Sequence, residues 1–326
     1  MIKRQFLRTF CAGAIASLAG LACVPALAAD WPERPIKLIV PYPAGGLTDI
    51  VSRVLGDELG RVLGTSIVID NRTGAGGQIG LQALLQAPKD GYTIGLVVPA
   101  TMVTLPLTNP AYKIKPLEQF EPLTMAVDTF MTLVVDKKLG ISTVQQFADY
   151  AKKNPGKMNY GTPGAGTSFH FNNVILAQKL GVQAQHVPYT GEVQLLNDIA
   201  GGQLQYGLVS NAGKNFVDSG QVAALAVTTN KRVSSMPDVP TFKESGVDFV
   251  SDGWVGYVAA KGTPAPILDK LNSALVQALN SPAVKKKLND MGYQVVGNSP
   301  AQFRQVVQDS SQRYGALINS GAVKLQ

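Results

Sequence analysis

Hydrophobic and polar positions along the chain switch between two periods. Ile36-Lys37-Leu38-Ile39-Val40 is a short, nearly continuous apolar run of strand length. After Pro41-Tyr42-Pro43-Ala44-Gly45-Gly46 the spacing changes. Val51, Val54, Leu55, Leu59, Val62 and Leu63 recur at three and four, which predicts a helix capped by Thr48. The switch repeats with a strand over residues 66–70, a turn over 71–77, and a buried helix carrying Ile79, Leu81, Ala83, Leu84 and Leu85. Asp90-Gly91 then turns into a strand over 92–98. Strands alternating with helices predict βαβ units and a parallel sheet.

From residue 99 to 122 prolines cluster and the period fades, as in a connecting loop. A strand over 129–135 is expected to carry the chain into a second domain. Ser142-Thr143-Val144-Gln145 reads as a capping box for a helix that Asn154-Pro155-Gly156 ends. Strands are expected over 185–187, 205–209 and 221–228, a short helix near Glu244, and a return crossing over 250–260 that contains Gly253-Trp254. A helix with Ile267, Leu271, Leu275 and Leu279 in its stripe follows Thr263-Pro264. The last strand falls over 293–296, and Ser299-Pro300-Ala301-Gln302 caps the final helix.

One stretch stands apart. Gly161-Thr162-Pro163-Gly164-Ala165-Gly166-Thr167-Ser168-Phe169-His170 reads as the end of a strand, a glycine-rich turn and a helix start. Thr167 or Ser168 would be its cap, with Phe169, Val174, Ile175 and Leu180 on the apolar face. A helix N-terminus presents unpaired N–H groups and partial positive charge, so it suits one carboxylate of a small organic acid; an ordinary capped helix explains the same residues. Glycine turns with small or hydroxyl residues recur at 43–48, 73–77 and 188–191. In α/β sheets ligands collect at such turns, beyond the carboxyl ends of strands.

Residues 1–28 carry the pattern of an export signal, with basic Lys3, Arg4 and Arg8, an apolar stretch, and Ala26-Leu27-Ala28 as the cleavage site. The general secretory route fits better than the twin-arginine one. Cys23 lacks a good lipobox. Cys11 and Cys23 both lie in this signal, so the mature 298 residues hold no thiol, disulfide or cysteine metal site. Removing the signal takes the net charge from +7 to +4, mildly favourable for anionic solutes. No basic stripe interleaved with aromatics points to nucleic acid.

Catalytic equipment is sparse. In Gly74-Ala75-Gly76-Gly77-Gln78-Ile79-Gly80 the third glycine comes one place late for a dinucleotide fingerprint, and no phosphate loop is present. His170 stands where a hydrolase elbow needs glycine. Only His170 and His186 are available as imidazoles, so neither a metal nor another cofactor is expected. Asp49, at the first helix start, stabilises the helix dipole. Trp254 is either plain core or a wall of the cleft.

Pro41-Tyr42-Pro43-Ala44-Gly45-Gly46-Leu47-Thr48-Asp49, Asn71-Arg72-Thr73-Gly74-Ala75-Gly76-Gly77, His186-Val187-Pro188-Tyr189-Thr190-Gly191, Asp238-Val239-Pro240-Thr241 and Gly253-Trp254-Val255-Gly256 together resemble the Bug family. These are periplasmic receptors of tripartite tricarboxylate transporters, and the likeness runs over essentially the whole mature chain. The resemblance implies an α/β, two-domain periplasmic binding protein fold (type II-like), each domain a mixed, mainly parallel sheet. Residues 29–128 plus 253–326 would form domain 1 and 129–252 domain 2, joined by two crossings. It implies a non-enzymatic, monomeric receptor that closes on a small carboxylate and delivers it to membrane permease subunits. The expected ligand is a dicarboxylate, aromatic ones such as terephthalate included. A sensory partner of a membrane signalling system, or an exported hydrolase using Ser168, are the competing readings.

The same resemblance assigns the site. Thr167 and Ser168, beside Gly166, would touch the carboxylate. Ala44, Gly45 and Asp49 would meet it through waters, and Tyr42, Thr101, Tyr189 and Asn211 would shape the distal part. Many relatives resemble a strand ending in Asp where this chain has Leu208-Val209-Ser210-Asn211. That departure argues against an amino-group ligand and leaves room for a second carboxylate.

Overall fold

The computed structural model describes residues 31–45, 47–189, 191–251 and 253–323. The expected export signal, its cleavage site and both cysteines lie outside the described residues. The chain opens with β1 (Ile36–Val40), α1 (Leu47–Leu63), β2 (Ile67–Asn71), α2 (Gln78–Gln86) and β3 (Thr93–Val97). A π-helical turn (Ala100–Thr104), α3 (Leu105–Thr108) and α4 (Pro116–Gln119) follow, then β4 (Phe120–Thr129). The chain continues through β5 (Thr132–Asp136), α5 (Val144–Lys153), β6 (Asn159–Thr162), α6 (Ser168–Leu180), β7 (Gln185–Pro188), α7 (Glu192–Gly201), β8 (Tyr206–Val209), α8 (Lys214–Asp218) and β9 (Val222–Val227). It returns through β10 (Gly253–Ala260) to α9 (Ala265–Leu279), α10 (Pro282–Asp290), β11 (Gln294–Val295) and α11 (Pro300–Asn319).

Two mixed sheets result, ordered β11-β4-β10-β3-β1-β2 and β7-β6-β8-β5-β9. Strands joined by a helix crossover are parallel, as the alternating pattern predicts: β1 with β2 and β3, β6 with β7 and β8. The strands that pass between sheets, β4, β5 and β10, pair antiparallel. This is the two-domain α/β architecture expected, and each sheet with its helices forms a lobe, but the mixed sheets are not mainly parallel: five strand pairings among the described residues are antiparallel and four parallel.

Several local expectations change. The loop expected over 99–122 holds three short helical turns and the start of β4, which Pro122 hides from a strand reading. Opposite Pro122 the pairing with β10 shifts register, between Tyr257 and Val258. The single strand expected over 129–135 is two strands broken at Phe130-Met131, because there the chain leaves one sheet for the other. Thr48 lies inside α1 rather than capping it. The cap of α5 is Thr143, whose hydroxyl accepts from Gln146 N–H. Near Glu244 the structure has turns and no helix, Glu244 and Thr241 bonding each other's backbone. Ile79 faces solvent. On α6 the buried set is His170, Phe171, Asn172, Asn173, Leu176 and Leu180. That helix packs on both sides, since Phe171 stacks flat on Tyr314 of α11 at 4.4 Å. A single stripe was the wrong template for it.

The crossings are stitched together by hydrogen bonds. Met131 N–H donates to Thr228 Oγ1 (2.8 Å), and Thr228 N–H returns a bond to Met131 O (2.9 Å). Thr228 Oγ1 also lies 2.8 Å from Ser251 Oγ. Thr228→Val keeps the shape but leaves Met131 N–H buried without an acceptor. It is expected to cost about 1–3 kcal/mol in chemical denaturation.

Candidate functional site

The loops at the carboxyl ends of parallel strands converge on a cavity of about 280 Å³. Tyr42 follows β1, Val98, Pro99 and Ala100 follow β3, Pro163 follows β6, and Ser210 and Asn211 follow β8. The crossings supply the remaining wall through Phe130, Met131, Gly253, Trp254 and Val255, with Phe169 and Leu47 from the two helix starts. The lining is mostly apolar, so water and ions gain little there and an organic body gains by burial. A larger open depression of about 620 Å³, beside Tyr112 and Val307 on lobe 1, contains none of the expected site residues.

The turn into α6 is the polar part of this wall. Gly164 (φ 125°) and Gly166 (φ 70°) adopt backbone conformations that only glycine takes without strain, and they fold the chain back before the helix. The Thr167 hydroxyl caps the helix at His170 N–H (3.4 Å) and donates its proton to Gly164 O (2.8 Å). Ser168 is different. Its hydroxyl has no bond to any described residue, and the amides of Thr167, Ser168 and Phe169 find no acceptor among the described residues. Three N–H groups, one O–H and the positive end of a 13-residue helix therefore remain for an anion.

Beneath the turn sit the two histidines, their rings stacked at 3.9 Å and 18°. Gly166 N–H donates to His170 Nδ1 (3.1 Å), so that nitrogen carries no proton. Thr162 Oγ1 donates to Gly164 O (2.9 Å), so it accepts from His186 Nε2 at 2.6 Å. The His170 imidazole is thus neutral, and His186 carries a proton on Nε2. Burial, and secondarily the neighbouring His186, bring the His170 pKa down to about 4; burial lowers His186 as well. His170 consequently supports the turn instead of activating Ser168, which removes the basis for hydrolysis.

On the other side, Asp49 pins the first loop. Its carboxylate accepts from Arg53 Nε (2.9 Å), Gly45 N–H (2.8 Å) and Asn71 Nδ2 (3.1 Å). The Arg53 bond above all, helped by Gly45 and Asn71 against the cost of burial, holds its pKa at about 2. Of the ten residues expected at the site, Tyr42, Thr167, Ser168 and Asn211 line the cavity. The other six are not among its lining residues. Ala44, Gly45 and Asp49 belong to the pinned loop. The Thr101 hydroxyl donates to Val98 O (3.0 Å) and shapes the Val98-to-Ala100 turn. Tyr189 donates to Asp198 Oδ2 (2.7 Å), and Gly166 holds His170. The crossing residues Phe130 and Met131, with Phe169, Ser210 and Tyr293, were not among the ten. Trp254, open to both readings, lines the cavity and meets Phe303 edge-on at 5.0 Å.

No group of side chains among the described residues is arranged to hold a metal. Two sheet-and-helix lobes, two crossings and a cleft between strand ends define a solute-binding protein of the periplasmic type. Residues 51–323 match the tripartite tricarboxylate transporter family receptor, and the chain belongs to that family. It is therefore a periplasmic receptor and not an enzyme. It is similar to BugT of Bordetella pertussis, 32% identical over 96% of this chain and 97% of BugT. Among solved structures it resembles Rpa4515 of R. palustris with adipate, at 30% identity and a TM-score of 0.76 over 90% of this chain and 99% of that one. It also resembles MatC of Rhodopseudomonas palustris with bound malate, at 28% identity and a TM-score of 0.71 over 88% and 100%.

Proposed function

We propose that this receptor captures a small carboxylate with an apolar body at the N-terminus of α6, closes its lobes over it, and delivers it to the membrane subunits of a tripartite transporter. The observation that carries the reading is the unpartnered set of Thr167, Ser168 and Phe169 amides beside the Ser168 hydroxyl, on the wall of a mostly apolar cavity. Adipate in one similar structure and malate in another support the ligand class. Residues 29–128 with 253–326 and residues 129–252 act as the two moving bodies of a monomer, after removal of the first 28 residues near Ala28. Tyr42 and Asn211 complete the ligand's surroundings. Ala44, Gly45, Asp49, Thr101, Gly166 and Tyr189 hold the loops that carry them.

Calorimetry against citrate, C4–C6 diacids, hydroxy acids and the phthalate isomers, terephthalate included, tests the proposal. At least one carboxylate should give saturable heat and, at a hundredfold excess over its Kd, add about 2.7 kcal/mol to unfolding. Silence across the panel overturns it. Scattering with the best ligand should record compaction, and unchanged dimensions count against closure.

A further inference from the structure

Aromatic side chains gather around the cavity from both lobes and both crossings. Tyr42 follows β1, Phe169 opens α6, Phe130 and Trp254 belong to the crossings, and Tyr293 follows α10. They are five of the 19 lining residues, against 7% aromatics in the whole chain, an excess that suits a ring-shaped body. Phe169 and Tyr42 keep part of their surface exposed.

Places for charge are fewer. Two of the longer helices begin on the cavity, α1 through Leu47 and Thr48, and α6 through Thr167 and Ser168. The first turn of α1 carries a carboxylate of its own, Asp49, bonded to Arg53 (2.9 Å). The first turn of α6 holds no acidic residue. At the β8 end, the Ser210 N–H and hydroxyl meet the Glu192 carboxyl (2.7 and 2.5 Å), and Asn211 Nδ2 donates to Met291 O (2.9 Å). None of the described residues lining the cavity is Lys, Arg, His, Asp or Glu.

We infer that the cavity selects an aryl monocarboxylate, with its one charge at α6 and its ring among these side chains. The inference rests on the carboxylate reading above and narrows it, against the dicarboxylate expected. An aromatic ring packed on other rings gains more than its buried area alone provides, and a saturated ring does not. A second carboxylate gives up its water and meets neither a cation nor a helix start free of its own carboxylate.

Two sets test it by calorimetry at one pH: benzoate, cyclohexanecarboxylate and terephthalate; 3-phenylpropanoate, 3-cyclohexylpropanoate and 4-(2-carboxyethyl)benzoate. In the set that binds more tightly, the aryl monoacid should exceed both companions by about tenfold or more. Burial alone would favour the saturated ring, the more hydrophobic of the two, so that order reports aromatic contacts. Phe169→Leu should reduce the preference over the saturated acid by about threefold or more. A saturated or dicarboxylate companion that equals the aryl monoacid overturns the inference and leaves the carboxylate reading standing. A preference unchanged in Phe169→Leu, or heat only from acids outside both sets, does the same. Silence from every carboxylate overturns both readings. The wild-type series decides alone if the variant does not fold.

Discussion

Ser168→Ala is expected to weaken binding of the best carboxylate by about 1–3 kcal/mol, roughly 5- to 150-fold, with no measurable change in unfolding. The asymmetry follows from the hydrogen bonds. The Ser168 hydroxyl bonds to nothing described in the protein, so removing it costs the fold nothing. In a water-poor cavity the lost donor is not replaced by solvent. Thr167→Val should behave in the opposite way. The Thr167 hydroxyl is committed to Gly164 O and His170 N–H, so its loss should destabilise the protein by about 0.5–2 kcal/mol. Binding would then weaken only as far as the turn loosens. Calorimetry and denaturant titration on the two variants separate the cases, and a Ser168→Ala protein within about twofold of wild type removes the hydroxyl from the ligand's contacts.

The contrast between these two neighbours marks where sequence reading stops. Periodicity was enough to find α1, α9 and α11, because each has one apolar stripe, and α11 alone of the three also has its cap written in adjacent residues, Ser299 and Gln302. It failed on α6, which two lobes bury from both sides, and on β4, where Pro122 interrupts the apolar run. The turn from Gly161 to His170 was legible as an anion seat from its glycines and hydroxyls. Which hydroxyl stays free was not, since that depends on whether Gly164 O lies within reach of Thr167. The stacking of His170 on His186 joins residues sixteen positions apart on different elements, and nothing in their spacing announces it. Likewise the orientation of Asn211 is set by a carbonyl eighty residues away. Phe130 and Met131 line the cavity because the chain changes sheets there, a consequence of topology more than of composition.

That division also says what the histidine pair does. Gly166 and Gly164 of the α6 turn are held by His170 and Thr162, and Thr162 is held in turn by His186. The bond from Gly166 N–H to His170 is one that protonation breaks. A proton on His170 Nδ1 turns the acceptor for Gly166 N–H into a second donor, and it places positive charge 3.9 Å from the other ring.

Stability should accordingly fall on acidification, in a window fixed by the imidazoles. An unfolded histidine takes up its proton near pH 6.5, whereas folded His170 resists until about 4. Between those values the unfolded state binds more protons, so unfolding free energy should drop by up to about 1.4 kcal/mol per pH unit for each histidine. His186, also lowered, adds in the same direction. Tyr160, stacked on His186 at 5.1 Å, stays protonated throughout, its pKa pushed up to about 12 by burial. Asp49 belongs to a different window: with its pKa held at about 2, its contribution is complete above the ordinary carboxylate range and fades only as pH falls towards 2. His170→Asn isolates the effect, because the Asn side-chain oxygen can still accept from Gly166 N–H but takes up no proton. Denaturant titrations at pH 7.5, 6.0 and 5.0 should show the wild-type slope reduced by one histidine's share in this variant. Equal slopes in the two proteins would mean that His170 does not hold the turn through its neutral form.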